Sequence, residues 1–251
     1  MTNQVTILVQ ALDGGAAMAM AMLVAAIASR SRSEPGHDRD AYLRAAVILL
    51  TIGFGASTAI AAVGGFNAGK YAIVLLGLLL VIPLAVGAVI TLASPNVRRL
   101  ISQPEVQSSV ISVHALRIIE GSVFVVMVPL GVLPAIFALP AGLGDVLVGL
   151  SALAASRWIT SGRRRRVVWW NLFGLLDLAN ATALGIMTVP GPLNLLHTNP
   201  SSALLLASPL TIVPTFVVPT YVLLHLISLR FLAVSRSGAR RSQAVTLEAA
   251  S

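Results

Sequence analysis

Asp13, His114, Arg117, Glu120, Asp145, Asp177 and His225 stand inside otherwise apolar stretches, together with the amides Asn171 and Asn180. A charge in hydrocarbon costs ~2.5–3.5 kcal/mol on insertion scales, so such groups face a protein interior and mark pathways or sites. His114, Arg117 and Glu120 are spaced i, i+3, i+6, which on a helix covers about 120° of one face. Arg117 and Glu120 are close enough to pair along that helix. Asp177 and Asn180 share a face three residues apart. Asn171 points nearly opposite Asn180 and sits beside tryptophans, which predicts an interfacial position.

Three kinds of chemistry fit these residues. Acids at mid-membrane depth, an arginine beside them and histidines nearer one boundary make a polar ladder suited to proton relay or ion-coupled transport. In that reading Glu120 or Asp177 is the protonatable group, and Arg117, Asp145 and Asn180 line the same route. The same Arg117, Glu120, Asp145 and Asp177 could instead brace the fold as a satisfied network, with a structural or interaction role and no transport. The third reading makes His114 and His225, at similar depth, the axial ligands of a haem b or the ligands of a metal. No HExxH, histidine box, GxSxG or serine–lysine pair lies within the apolar stretches, which argues against an enzyme. The absence of cysteine excludes disulfides, thiolate chemistry and iron–sulfur clusters.

The elements that must position these groups are membrane helices. Of 251 residues, 57% are hydrophobic and 10% charged, with mean hydropathy +0.89. A soluble domain carries about 25% charged residues, so this chain cannot cover a globule with polar surface. The expected architecture is an all-α polytopic bundle whose partner is the lipid bilayer. Stretches of ~20 apolar residues predict seven spans, over 6–29, 42–63, 71–93, 109–131, 134–156, 167–189 and 203–232, in one domain over 1–235. A disordered tail is expected over 236–251. The first residues lack a basic signal region and Asp13 interrupts their apolar run, so the segment reads as a retained span. The stretch LPAGLGDVLVGL could begin a helix at Pro140 and open a pocket at Asp145, or pack through its small residues as one continuous helix. Pro209, Pro214 and Pro219 predict a kinked or partly re-entrant last span.

Net charge is +8, which in a soluble protein would point to nucleic acid. Here every basic residue except Lys70 and Arg117 falls in alternate connections or at the C-terminal end. That is the positive-inside pattern, so nucleic acid is not an expected partner, the N-terminus lies outside and the C-terminus is cytoplasmic. Trp158, Trp169 and Trp170 flank the arginine run 163–166 and read as interfacial anchors. His37 and His197 fall in loops. The excess of Ala, Val, Leu and Arg over Lys suggests a bacterial source and its cytoplasmic membrane. A small-molecule or ion substrate and a homo-oligomer are both compatible with the pattern, and neither is specified by it.

The phrases HALRIIEGSVF, LPAGLGDVLVGLSA and NLFGLLDLANA resemble an uncharacterised group of bacterial multipass membrane proteins, over roughly Val113 to Leu232. The resemblance implies a membrane bundle and no activity. Seven spans with the N-terminus outside are similar in topology to microbial rhodopsins, but the last span has no lysine for a retinal Schiff base.

Overall fold

The computed structural model describes residues 51–60, 63–64, 70–207 and 210–248. The predicted first span, half of the second, Asp13, His37 and Pro209 lie outside the described residues. Helix α1 covers Thr51–Ile60, and α2 covers Lys70–Ala93. A short α3, Pro95–Ile101, carries Arg98 and Arg99 into α4, Pro104–Val113. One 3-10 turn, His114–Leu116, joins α4 to α5, Arg117–Met127. Helix α6 is Ala135–Thr160, α7 is Arg164–Thr188, and α8 is Val218–Glu248.

Among the described residues five stretches are long and apolar enough to cross a membrane: Val74–Ala93, Pro104–Met127, Ala135–Thr160, Arg164–Thr188 and Val213–Val234. They are the last five predicted spans, with shifted ends. The fourth starts at Pro104 because proline suits the first helical turn, where its missing N–H is not needed. It ends at Met127, short of residue 131. Gly131 takes a left-handed φ of +66°, and the N–H of Val132 bonds back to the Met127 carbonyl at 3.0 Å. The sixth starts at Arg164, so the arginine run 163–166 enters the first turn of α7 instead of staying in a loop. The last span is broken as its prolines predict. Ala203–Leu206 is a 3-10 turn and Val213–Val217 a π turn containing Pro214, a way for a helix to absorb an amide that cannot donate. Helix α8 runs on to Glu248, through the stretch expected to be a disordered tail; Ala, Arg, Gln and Leu there are good helix formers.

Helix α6 is the hub and packs against α4, α5 and α7, while α8 packs on α7 and α4, and α2 on α8. It is continuous through Pro140, Gly142 and Gly144, so the small-residue alternative is the observed one. A Cβ built on Gly121 of α5 would strike the Gly142 carbonyl, and one on Gly149 would lie 2.7 Å from Ile118 Cγ1. Such side-chain-free contacts let backbones meet, which drives helix association where lipid is as apolar as leucine. The outer face is the reverse of a soluble protein's. Leu143, Leu147, Leu150 and Leu153 are exposed along α6, whereas Arg117, Asp145 and His225 are buried.

Candidate functional site

The site begins at the 3-10 turn. Three residues per turn put i and i+3 in line, so His114 stands directly over Arg117, and both are fully buried. Arg117 opens α5 and points its guanidinium across the bundle. Nε donates to Asp145 Oδ1 of α6 at 2.6 Å, and Nη2 donates to Asp177 Oδ2 of α7. The sequence pairs Arg117 with Glu120 along its own helix. The guanidinium instead bridges two neighbouring helices, because its planar fork can serve two carboxylates at once. Its third nitrogen, Nη1, lies 3.4 Å from His225 Nε2 of α8. Below it, the Tyr221 ring centroid is 5.4 Å from the guanidinium carbon, within cation–π range. The Tyr221 hydroxyl donates to Glu120 Oε1 at 3.3 Å.

From His225 the polar contacts continue along α7 and α8. His225 Nδ1 lies 2.9 Å from Asn171 Oδ1. The Asn171 amide nitrogen donates to the Val167 carbonyl at 2.8 Å and to Ser228 Oγ at 3.0 Å. With that nitrogen committed, Oδ1 must accept, so His225 carries its proton on Nδ1 and presents the Nε2 lone pair to Arg117. Asn171 is therefore fully buried within the network, a member that the sequence reading leaves out of the site. Asn180, on the opposite side of α7, is exposed and is not brought into the cluster. Asp177, which the sequence puts on one face with Asn180, is buried alongside Asn171, so the inward face of α7 runs through Asn171 and Asp177 and leaves Asn180 outside it.

Trp170 is corrected. Trp169 is 63% exposed and Trp158 half-buried, as anchors should be, but Trp170 is 6% exposed. Its Nε1 donates to Ser151 Oγ at 2.9 Å, and its ring meets that of His114 edge-on at 5.2 Å. Sequence reasoning also missed Tyr221 and Ser228. With His225 they fall at i, i+4 and i+7, one helix face, a signal that was present but muted because tyrosine and serine carry no charge. His197 is exposed in the α7–α8 connection, apart from the cluster.

Glycines admit these groups. A Cβ on Gly144 would overlap the Asp177 carboxylate, and one on Gly174 would overlap the His225 ring. Among the described residues no group of three or more His, Asp or Glu could hold a metal ion. The two histidines do not fit a haem. Axial imidazoles reach iron from opposite porphyrin faces, so the macrocycle separates them. Here the rings of His114 and His225 are in contact, with centroids 4.0 Å apart and planes tilted by 32°. Tyr221 stacks on His114 at 5.1 Å, and Arg117 and Asn171 already occupy both nitrogens of His225.

The sequence model of a family described as a domain of unknown function (DUF8737) matches residues 73–233. The chain belongs to this family. The DUF8737 match opens in α2 and closes in α8, so it takes in the five stretches named above, but for Val234, and every residue of the cluster. No curated protein and no solved structure matches the chain.

Proposed function

We propose that this chain is a small proton-translocating unit of a bacterial cytoplasmic membrane, working through the buried cluster on α5 to α8. The supporting observation is a continuous run of polar contacts, Asp145–Arg117–His225–Asn171–Ser228, with Asp177 on the same guanidinium. One carboxylate is enough to neutralise an arginine. This arginine has two, and its remaining nitrogen faces an imidazole lone pair. Two acids sharing one fixed cation leave one of them able to take up a proton while the other keeps the ion pair. The imidazole then offers the next site, toward Ser228 and the arginine-bearing end of α8 at Arg230. Positive-inside charge makes that end cytoplasmic. Glu120, tied to Tyr221, belongs to the same buried group. Tyr221 also stacks on His114, which connects the second acid to the histidine pair.

The test is proton flux in liposomes containing the full chain, under an imposed pH gradient. Asp177→Asn and Glu120→Gln keep shape and remove the proton site. The expected result is folded protein with flux lost in Asp177→Asn and reduced in Glu120→Gln. Wild-type flux in both variants, or no flux above protein-free liposomes for the wild type, would overturn the proposal in favour of the bracing role.

A further inference from the structure

Asp145 does a second thing besides pairing with Arg117. It forms part of the wall of a cavity of about 200 Å³ between α2 and α7. The cavity exists because α2 packs on α8 and the π turn but makes little contact with α7. Leu76, Gly77 and Leu80 of α2 face Ala181 of α7 across it, and Phe137 of α6 closes one side. The hydroxyl of Thr182, which also lines it, is spent on the Leu178 carbonyl at 2.8 Å. Among the described residues Asp145 is the only ionisable one on the wall. Arg117 engages its Oδ1, and the side chain keeps 11% exposure, so the carboxylate is not closed off. Among the described residues Arg117 is the one cation paired with both Asp145 and Asp177.

An apolar cavity of about 150 Å³ accommodates a benzene ring. This one holds a ring with a short arm. Apolar walls that end on one carboxylate select a molecule that is apolar along its body and cationic at one tip, since unpaired charge in such a space is costly. We propose that this cavity binds a small lipophilic amine, with its ammonium on Asp145 and its body against Leu76, Leu80 and Phe137. The binding claim does not depend on whether the cluster passes protons.

The test uses the purified full chain in nanodiscs, titrated with 4-fluorobenzylamine and with 4-fluorotoluene and read by fluorine NMR against protein-free nanodiscs. The amine should bind saturably, and the toluene about ten- to hundred-fold more weakly, the worth of a charge-assisted hydrogen bond. A Cβ at Gly77 meets no atom within 4 Å, so Gly77→Leu fills the cavity from one wall and Ala181→Leu from the other. Both should abolish saturable binding while the protein stays folded. Asp145→Asn should lower amine affinity toward that of the toluene. Should Asp145→Asn fail to fold, the amine-to-toluene ratio in the wild type reads the same contribution. Any of three results would overturn the proposal: no saturable amine binding by the wild type, equal binding of the toluene, or amine binding that survives both filling substitutions.

Discussion

Arg117 is the residue on which the others depend. Removing one partner of a buried ion pair leaves an uncompensated charge and costs about 3–5 kcal/mol. Arg117→Met leaves Asp145 and Asp177 facing each other across α6 and α7 without a cation. It should lower the unfolding temperature in detergent more than any other single substitution in the cluster. Arg117→Lys should not rescue it, because one ammonium cannot reproduce a fork that reaches Asp145, Asp177 and His225. The triple variant Arg117→Met, Asp145→Asn, Asp177→Asn removes all three charges and should recover much of the loss. Thermal unfolding of the three proteins checks the order; a triple variant less stable than Arg117→Met would show that the charges are not what holds these helices. Much of this was legible from residue types alone. The i, i+3, i+6 series picks out His114, Arg117 and Glu120, and Asp145, Asp177 and His225 also prove buried. What the sequence could not provide is the direction in which a long side chain reaches. Arg117 pairs across helices because its helix starts there and aims it inward, and no spacing rule along one helix encodes that. Trp170 and Asn171 read as interfacial from their place beside the arginine run, and Tyr221 has no charge to single it out.

At the scale of elements, the cluster can form only where helices approach closely, and glycines set that approach. Gly121 and Gly142 bring α5 against α6 backbone to backbone, and Gly144 leaves room for the Asp177 carboxylate. Overpacking such a contact costs about 1–3 kcal/mol. Gly121→Ala should therefore destabilise by separating two backbones, which cannot rearrange cheaply. Gly144→Ala should act differently, displacing Asp177 from Arg117 and so lowering proton flux as well as stability. Gly77→Ala is the control, since nothing lies within 4 Å of its Cβ, and it should be neutral or slightly stabilising. Unfolding temperature and flux measured together separate the three. Equal effects in all three variants would mean that helix propensity, not packing, governs them. The sequence displayed this seam as LPAGLGDVLVGL but left open whether Pro140 began a helix. The structure decides for continuity: α6 runs through Pro140 in its second turn, although the proline withholds a hydrogen bond from the Ile136 carbonyl.

At the scale of the molecule, the open quantity is the number of crossings before α2, and charge asymmetry sets the expected answer. Helices α4–α5, α6 and α7 follow one another through short connections, α8 follows after a longer one over 189–217, and arginines recur at every second connection. Extending that alternation toward the N-terminus puts the arginines of 30–44 on the same side as Arg98, Arg99 and Arg163–Arg166, which requires one crossing between them besides α2; a first span over 6–29 then leaves the N-terminus outside. The chain contains no cysteine, so a single introduced thiol can be read without background. In intact cells an impermeant maleimide should label Asn3→Cys and Asn194→Cys, and should label Ser33→Cys and Ser161→Cys only after lysis. Each miscount has its own pattern. If neither N-terminal segment crossed, Ser33→Cys would label from outside along with Asn3→Cys. If only one crossed, Asn3→Cys would be protected. Labelling of Ser161→Cys in intact cells would reverse the orientation of the whole bundle, and with it the direction in which Ser228 and Arg230 face the cytoplasm.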